Sequence, residues 1–150
     1  MKKKLYSTFA MLSLALLMTV VSVQAQSSGK LEVNIPFEFQ IGSQTLPAGN
    51  YSVKRLTPNS VLVRSADGQH KAIAQTPRAI TAKGNEKATQ EKLVFNQYGD
   101  QYFLSQVWMV RGSEGRELYK SDAENQAARE QTIANGGAKS QKVEVAASVR

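Results

Sequence analysis

Hydrophobic side chains recur at every second position between Leu31 and Phe39. The odd positions carry leucine, valine, isoleucine and two phenylalanines, whereas the even positions carry glutamate, asparagine, proline and glutamate. A period of two predicts a β-strand with one buried face. Because Pro36 cannot donate a ladder hydrogen bond, it either places this strand at a sheet edge or divides it into two pieces.

Turn residues separate the alternating segments that follow. Residues 46–50 contain a proline and a glycine at turn-forming positions, and a strand is expected to begin at Tyr51. Asp67-Gly68 predicts a hairpin over residues 60–76, since this dipeptide suits a two-residue loop in which both residues take positive φ. The expected pairing places four small apolar side chains on one face: Val61, Val63, Ala72 and Ala74.

A second hairpin is predicted over Gln90–Val110, with a type II′ turn at Gly99-Asp100. A regular ladder then sets Phe95 opposite Leu104 and Leu93 opposite Gln106. Both faces of this hairpin are largely apolar, so we expect it either to lie centrally and be covered on both sides, or to present one aromatic face to a partner. One face carries the following set: Leu93, Phe95, Gln97, Tyr102, Leu104, Gln106 and Trp108.

A helix is predicted over residues 122–134. Ser121 and Glu124 have the spacing of a capping box, in which the serine hydroxyl and the glutamate carboxylate each accept a hydrogen bond from a backbone N–H at the helix start. Asn135-Gly136 supplies the stop. The small apolar stripe of Ala123, Ala127 and Ala134 predicts weak docking, and residues 135–150 are expected to form a disordered, flexible tail.

These elements predict an all-β fold, an antiparallel sandwich or small open barrel of seven to eight strands between residues 31 and 120. Turn signals about every 8 to 12 residues are typical of this class. The expected organisation is a signal peptide over residues 1–25, a β-domain over 26–121, the helix over 122–134 and the tail over 135–150. The chain of 150 residues contains no cysteine, which excludes disulfides, iron–sulfur clusters and thiol nucleophiles.

The amino terminus has the features of an export signal. Lys2–Lys4 form a basic segment, Phe9–Val23 is almost wholly apolar, and Val23 and Ala25 place small residues at the −3 and −1 positions of a cleavage site. An apolar stretch of about 15 residues is short for a bilayer span, which needs about 20. We therefore expect cleavage after Ala25, no stable membrane span after processing, and a periplasmic or extracellular product.

Processing changes the charge. The full chain has a formal net charge of +7, and removal of the three leader lysines reduces it to +4. The remaining basic residues are scattered, and Lys54-Arg55 is their only adjacent pair, so nucleic acid is not an expected partner. Mild attraction to acidic envelope polymers is compatible with this charge.

No catalytic residue, metal site or cofactor is expected from the sequence. His70 is the single histidine, so a site with two imidazoles cannot form within one chain. Ser65, Asp67 and His70 cluster near the first hairpin turn, but an exposed turn offers no oxyanion hole. The sequence contains no nucleophile elbow, phosphate loop or dinucleotide fingerprint.

A candidate ligand platform lies on the second hairpin. Tyr102 and Trp108 alternate with Gln97 and Gln106 on one expected face, where the rings could stack on a sugar or peptide while the amides form hydrogen bonds to it. The alternative is that Trp108 and its apolar neighbours are core residues.

Three segments carry a family resemblance: Ile35–Phe39, Leu46–Val53 and Tyr98–Ser105. With them, residues 31–129 resemble a group of small exported β-domain proteins common in acidobacterial genomes, a resemblance that implies no activity. The Leu-Pro-Ala-Gly-x-Tyr-x-Val segment is also similar to the strand entry of prealbumin-like and other immunoglobulin-like sandwich modules. That second likeness implies binding or scaffolding and transfers no functional residue.

The sequence therefore favours an exported, non-catalytic binding or envelope-associated module, which makes contact through an open strand edge or the aromatic face. The expected partners are an envelope polymer, a glycan or another exported protein. The alternative is a small secreted hydrolase acting on cell-wall or carbohydrate substrates, which would need two carboxylates facing each other across a cleft.

Overall fold

The computed structural model of the chain describes residues 29–81, 90–109, 114–134 and 140–149. The predicted signal peptide, residues 1–25, lies outside the described residues, as do residues 135–139 and 150 of the predicted tail.

The described residues form twelve strands and one helix. In chain order they are β1 (Leu31–Ile35), β2 (Phe39–Ile41), β3 (Gln44–Leu46), β4 (Gly49–Thr57), β5 (Ser60–Ser65), β6 (Lys71–Gln75), β7 (Arg78–Thr81), β8 (Lys92–Tyr98), β9 (Gln101–Trp108), β10 (Glu114–Glu117), α1 (Asp122–Ala134), β11 (Gln141–Ala146) and β12 (Ser148–Val149).

These strands form two sheets that pack as a sandwich. The first sheet has the order β12-β1-β4-β5-β6, and the second has the order β11-β8-β9-β10-β7, with β2 and β3 attached to it beside β9. Neighbouring strands pair antiparallel, except at the parallel bridge between Gln40 and Phe103. The sheets do not close into a barrel, so the sandwich alternative of the predicted all-β fold is confirmed.

The alternation of the sequence correctly predicts which side chains fill the core. Leu31, Val33, Ile35 and Phe39 are all buried. The four apolar residues of the first hairpin are buried too, and they join residues of the second sheet in one cluster that includes Leu93, Phe95, Leu104 and Val107. Removal of this apolar surface from water is the main force that holds the sheets together.

The strand count is higher than predicted, because two expected segments are divided or extended. Pro36 separates β1 from β2, so the first alternating segment forms two strands in different sheets. Residues 44–46, for which no strand was predicted, form β3 and pair with β2 around Gly42, whose φ is 61°. Ten strands therefore lie between residues 31 and 117, where seven or eight were expected.

The first hairpin has the predicted register and a different turn. Leu62 lies opposite Ile73 and Val63 opposite Ala72, as expected. However, positive φ occurs at Gly68 (76°) and not at Asp67, so the expectation that both turn residues take positive φ is wrong. The amide of Gly68 donates to the carbonyl of Ser65 at 3.0 Å. This hydrogen bond closes a turn over residues 65–68, one residue earlier than the predicted turn.

The second hairpin contains a β-bulge that the sequence did not predict. Tyr98 lies opposite Gln101 and Phe95 opposite Leu104, as expected. Beyond that point Val94 lies opposite Gln106, and Leu93 faces Val107, so the predicted pairing of Leu93 with Gln106 is wrong. One extra residue on β9 shifts the ladder. The β9 side chains beyond it therefore lie on the face opposite to the one predicted.

The helix has the predicted bounds and covers the outer face of the second sheet. Ala127 is buried against Tyr98 and Phe103, whereas Ala123 and Ala134 are exposed. The predicted alanine stripe is therefore wrong in two of its three members, and the buried Glu124 lies beside Ala127 instead. The prediction that the second hairpin is covered on both sides is confirmed.

The predicted disordered tail is wrong for its described part. Residues 141–146 form β11 along β8, and residues 148–149 form β12 along β1, so the carboxyl terminus adds an edge strand to each sheet. Val143 and Val145 pack against the core. Their alternation with polar residues is a strand pattern, which gains stability only where β8 offers an unpaired edge.

Candidate functional site

The predicted ligand platform does not form, because the bulge on β9 separates its members. Gln97 and Tyr102 lie opposite each other on the core side of the hairpin. The Gln97 amide donates to the Tyr102 hydroxyl at 3.2 Å, and the Tyr102 ring stacks on Phe37 with centroids 4.0 Å apart. One face of this ring is therefore already occupied by a side chain of the protein.

Gln106 and Trp108 lie beyond the bulge, on the opposite face of the second sheet. The Trp108 indole N–H donates to Gln106 Oε1 at 3.0 Å. The indole is 8% exposed and lies on Gly115 of the neighbouring strand, where a Cβ would approach Trp108 Cδ2 to 2.6 Å. The Lys92 ammonium lies 5.9 Å from the ring centroid. Trp108 is thus a packed residue, as in the alternative interpretation of the aromatic set.

The cluster at the first hairpin turn is structural. The Ser65 hydroxyl donates to the Asp67 carboxylate and accepts a hydrogen bond from the main-chain N–H of His70 at 2.9 Å. Asp67 also accepts from the amide of Gln69 at 3.0 Å. These hydrogen bonds, that of Ser65 above all, lower the pKa of Asp67. Since Ser65 contacts the His70 main chain, the arrangement lacks the hydroxyl and imidazole pair that a nucleophile requires.

A buried carboxylate on α1 is the feature that sequence reasoning missed. Glu124 is 3% exposed, and its Oε1 accepts hydrogen bonds from Asn96 Nδ2 at 2.8 Å and from the Tyr98 hydroxyl at 3.2 Å. The amide of Glu124 donates to Ser121 Oγ at 3.1 Å, so the serine half of the predicted capping box is present. The Glu124 carboxylate instead binds the helix to β8.

Lys120 completes this cluster. Its ammonium donates to the Tyr98 hydroxyl at 2.9 Å and lies 3.8 Å from Glu124 Oε1. The hydrogen bond to Tyr98 is the main cause of a raised pKa at Lys120. A groove of about 450 Å³ runs beside the cluster and also borders Glu117, which pairs with Arg78 at 3.2 Å. Both carboxylates of this groove are engaged, so it lacks the free acid pair that the hydrolase alternative needs.

The outer face of the first sheet carries basic side chains that the fold brings together. We call Lys54, Arg64 and Lys71 the cationic face. Arg64 lies directly opposite Ser52 on β4 and Lys71 on β6, and Lys54 lies one row further along β4. Like charges on directly opposed strand positions are destabilising, so the pair of Arg64 and Lys71 carries a cost in the free protein.

Four basic residues on and beside the second sheet have acidic partners, whereas Arg129 on α1 and Lys142 on β11 have none among the described residues. Arg78, Lys92, Arg116 and Lys120 each lie within ion-pair distance of a glutamate: Glu117, Glu144, Glu114 and Glu124 respectively. In the part of the chain that the structure describes, the three residues of the cationic face have no such acidic partner. Lys30, at the rim of this face, pairs with Glu32.

Neutral polar groups lie beside the cationic face. A shallow groove of about 780 Å³ is lined by Lys54 and Arg64 together with Asn34, Asn50 and Ser52, and the ion pair of Lys30 and Glu32 also borders it. The two asparagine amides are joined by a hydrogen bond of 2.8 Å. Cations, amides and a hydroxyl on one face can bind carboxylate or sulfate groups together with sugar hydroxyls.

The sequence contained one signal for this face. Lys54, Arg64 and Lys71 occupy polar positions of alternating strands, which predicts that they point outward. Arg64 follows Lys54 by ten residues and Lys71 follows Arg64 by seven, so the three residues are scattered in the sequence. Their adjacency depends on the registers of β4, β5 and β6.

The described residues contain no group of three or more histidine, aspartate or glutamate side chains that could hold a metal ion. In the same residues no helix is long and apolar enough to cross a membrane. Comparison with protein families, with curated proteins and with solved structures finds no match to this chain.

Proposed function

We propose that this protein is an exported, non-catalytic module that binds an acidic envelope polymer through the cationic face. The observation that carries the proposal is the clustering of three basic side chains on one face of the first sheet. Arg78, Lys92, Arg116 and Lys120 lie beside glutamates. The described residues leave Lys54, Arg64 and Lys71, which are neighbours across three strands, without an acidic partner.

A polyanion relieves the repulsion that this arrangement costs. Anionic groups placed between Arg64 and Lys71 replace a like-charge contact with two attractive ones. The face belongs to a hydrogen-bonded sheet, so its side chains are held on a rigid support before the ligand arrives. A groove on the outer face of a sheet suits an extended polymer better than a compact small molecule, which needs an enclosed pocket.

Export is the second part of the proposal, and the leader pattern of residues 1–25 supports it. A periplasmic or extracellular module meets acidic polymers of the envelope directly. The net charge of +4 after leader removal assists the encounter without determining the site of contact.

Binding of residues 26–150 to polygalacturonate, a carboxylated glycan, tests the proposal, with neutral dextran as the reference polymer. Removing three charges from the cationic face, in the variant K54Q/R64Q/K71Q, is expected to weaken binding at least tenfold. Binding of the unaltered protein should also weaken as salt rises, because exposed charges are screened over about 8 Å at 0.15 M ionic strength.

A matched control removes the same number of charges elsewhere. The variant R78Q/R129Q/K142Q alters the second sheet and the helix and should retain binding within about twofold of the unaltered protein. Equal losses in the two triple variants would indicate attraction by net charge alone and would overturn the assignment of the site. Equal binding of dextran and polygalacturonate would overturn the choice of ligand.

A further inference from the structure

Strand β6 lies at one edge of the first sheet. In the described part of the chain it pairs with β5 alone. An edge strand presents backbone donors and acceptors to its surroundings, and such a row can pair with another extended segment.

Two hydrogen bonds at the ends of β6 define which backbone groups are free to pair. The carbonyl of His70 accepts from the amide of Ser65 at 2.9 Å, and the amide of Thr76 donates to the carbonyl of Asn59 at 2.7 Å. In an antiparallel ladder the residues bonded to one neighbour alternate with residues that point the other way. Positions 70, 72, 74 and 76 therefore bond toward β5, and the amides and carbonyls of Lys71, Ile73 and Gln75 point away from the sheet.

The side chains along this edge have a mixed apolar and basic character. Ile73 is 63% exposed at the centre of β6, with Lys71 two positions before it on the same outer face. A groove of about 820 Å³ is lined by Lys71 and Ile73 and also by residues 41–44, which include the turn between β2 and β3. The free backbone edge thus adjoins a recess between two structural elements.

We propose that the β6 edge binds an extended peptide of another protein, which adds to the first sheet as a sixth strand. The peptide carries an acidic side chain opposite Lys71 and an apolar side chain opposite Ile73, two positions apart. Charge complementarity selects this occupant, since Lys71 and the adjacent Arg64 have no acidic partner among the described residues. A second copy of this chain would supply β6 itself, which reads Lys-Ala-Ile-Ala-Gln and contains no acid.

The peptide site shares Lys71 with the proposed polymer site, but it does not require that the protein bind a polymer. The polymer would contact side chains on the outer face, whereas the peptide requires the main-chain groups of Lys71, Ile73 and Gln75. A change that removes a backbone donor at the edge and retains every charge separates the two.

Fluorescence polarisation with a labelled peptide, Thr-Glu-Thr-Val-Thr-Glu-Thr, tests the proposal. A second peptide with lysine in place of both glutamates should bind at least tenfold more weakly. The variant Lys71→Glu should reverse that preference. Ile73→Pro removes an outward N–H and no bond to β5, so it should weaken peptide binding at least tenfold and leave polygalacturonate binding within about twofold.

Modified peptides keep the test decisive even if Ile73→Pro impairs folding. An added strand directs every second amide toward β6. N-methylation of one alternate set of amides should therefore abolish binding, and methylation of the other set should not. Equal binding of the two methylated peptides, or of the acidic and basic peptides, would overturn the proposal. Analytical ultracentrifugation tests for self-pairing. The proposal would be overturned if the mass of the unaltered protein doubled as its concentration rose while the Ile73→Pro variant stayed monomeric.

Discussion

Tyr51 forms a side-chain hydrogen bond to the main chain that fixes the turn before β4. Its hydroxyl donates to the carbonyl of Pro47, four residues earlier, at 2.7 Å, while its ring is buried at the start of β4. Burial of this side chain raises the pKa of the phenol. This hydrogen bond ties the start of β4 to the turn just upstream of it.

Tyr51→Phe should lower the free energy of unfolding by about 1 kcal/mol, because the substitution removes the hydrogen bond to the Pro47 carbonyl. Urea unfolding measures this change. Tyr119→Phe is the matched control, since the Tyr119 side chain is 72% exposed, and it should change stability by less than about 0.5 kcal/mol. Similar losses in the two variants would show that the Pro47 contact does not stabilise the fold.

The Asp67 carboxyl should titrate below the ordinary aspartate pKa of about 3.9. A lowered pKa means that protonation favours the unfolded chain, so this stabilisation is complete above the ordinary pKa and is lost as the pH falls through the folded value. NMR titration of the carboxyl carbon measures the shift. Ser65→Ala should raise the pKa of Asp67 toward its ordinary value, and Ser52→Ala should leave it unchanged; an unaltered pKa in Ser65→Ala contradicts the assigned cause.

At the scale of secondary-structure elements, α1 is held by a polar cluster as much as by apolar contact. Glu124→Ala should lower the free energy of unfolding by about 2 to 3 kcal/mol, because Asn96 and Tyr98 lose their buried acceptor. Hydrogen exchange of α1 amides should accelerate in this variant before that of β8 and β9. Glu130→Ala, on the exposed side of the helix, should change neither measurement beyond the loss of one surface hydrogen bond to Gln126.

Packing between β9 and β10 depends on the absence of a side chain at residue 115. Gly115→Ala should cost about 1 to 3 kcal/mol, since the added Cβ would meet the Trp108 indole at 2.6 Å and the ring must move. A change in tryptophan fluorescence should accompany the loss. Gly29→Ala is a suitable control, because a Cβ there has no neighbour within 4 Å. Unchanged fluorescence and stability in Gly115→Ala would refute this account of the indole packing.

At the scale of the whole molecule, the carboxyl-terminal segment links the two sheets. It pairs with β8 of one sheet through β11 and with β1 of the other through β12. Truncation after Ser140 should lower the free energy of unfolding by about 3 kcal/mol, because Val143 and Val145 leave the core and two ladders are lost. Removal of residues 148–150 alone should cost less, since it retains β11. Equal stability of the full chain and the longer truncation would contradict this role.

The sequence determined the local features of this protein. Alternation from Leu31 onward assigned strands and their buried faces, because side chains on a pleated strand point to opposite sides in turn. Gly99 located the second hairpin turn, and Ser121 located the start of the helix, because both signals act within a few residues. The basic residues of the cationic face occupy polar positions of these strands, but their adjacency was not predicted.

Only the tertiary structure decided how these elements meet. The bulge on β9 separates the residues of the predicted ligand platform, Glu124 finds its partners 26 and 28 residues away, and residues 141–146 become a strand only beside β8. Each outcome depends on contacts between segments distant in the chain. The local conformational preference of the chain differs little between the possible structures at such positions. The free energy of packing and of buried hydrogen bonds therefore determines which structure forms.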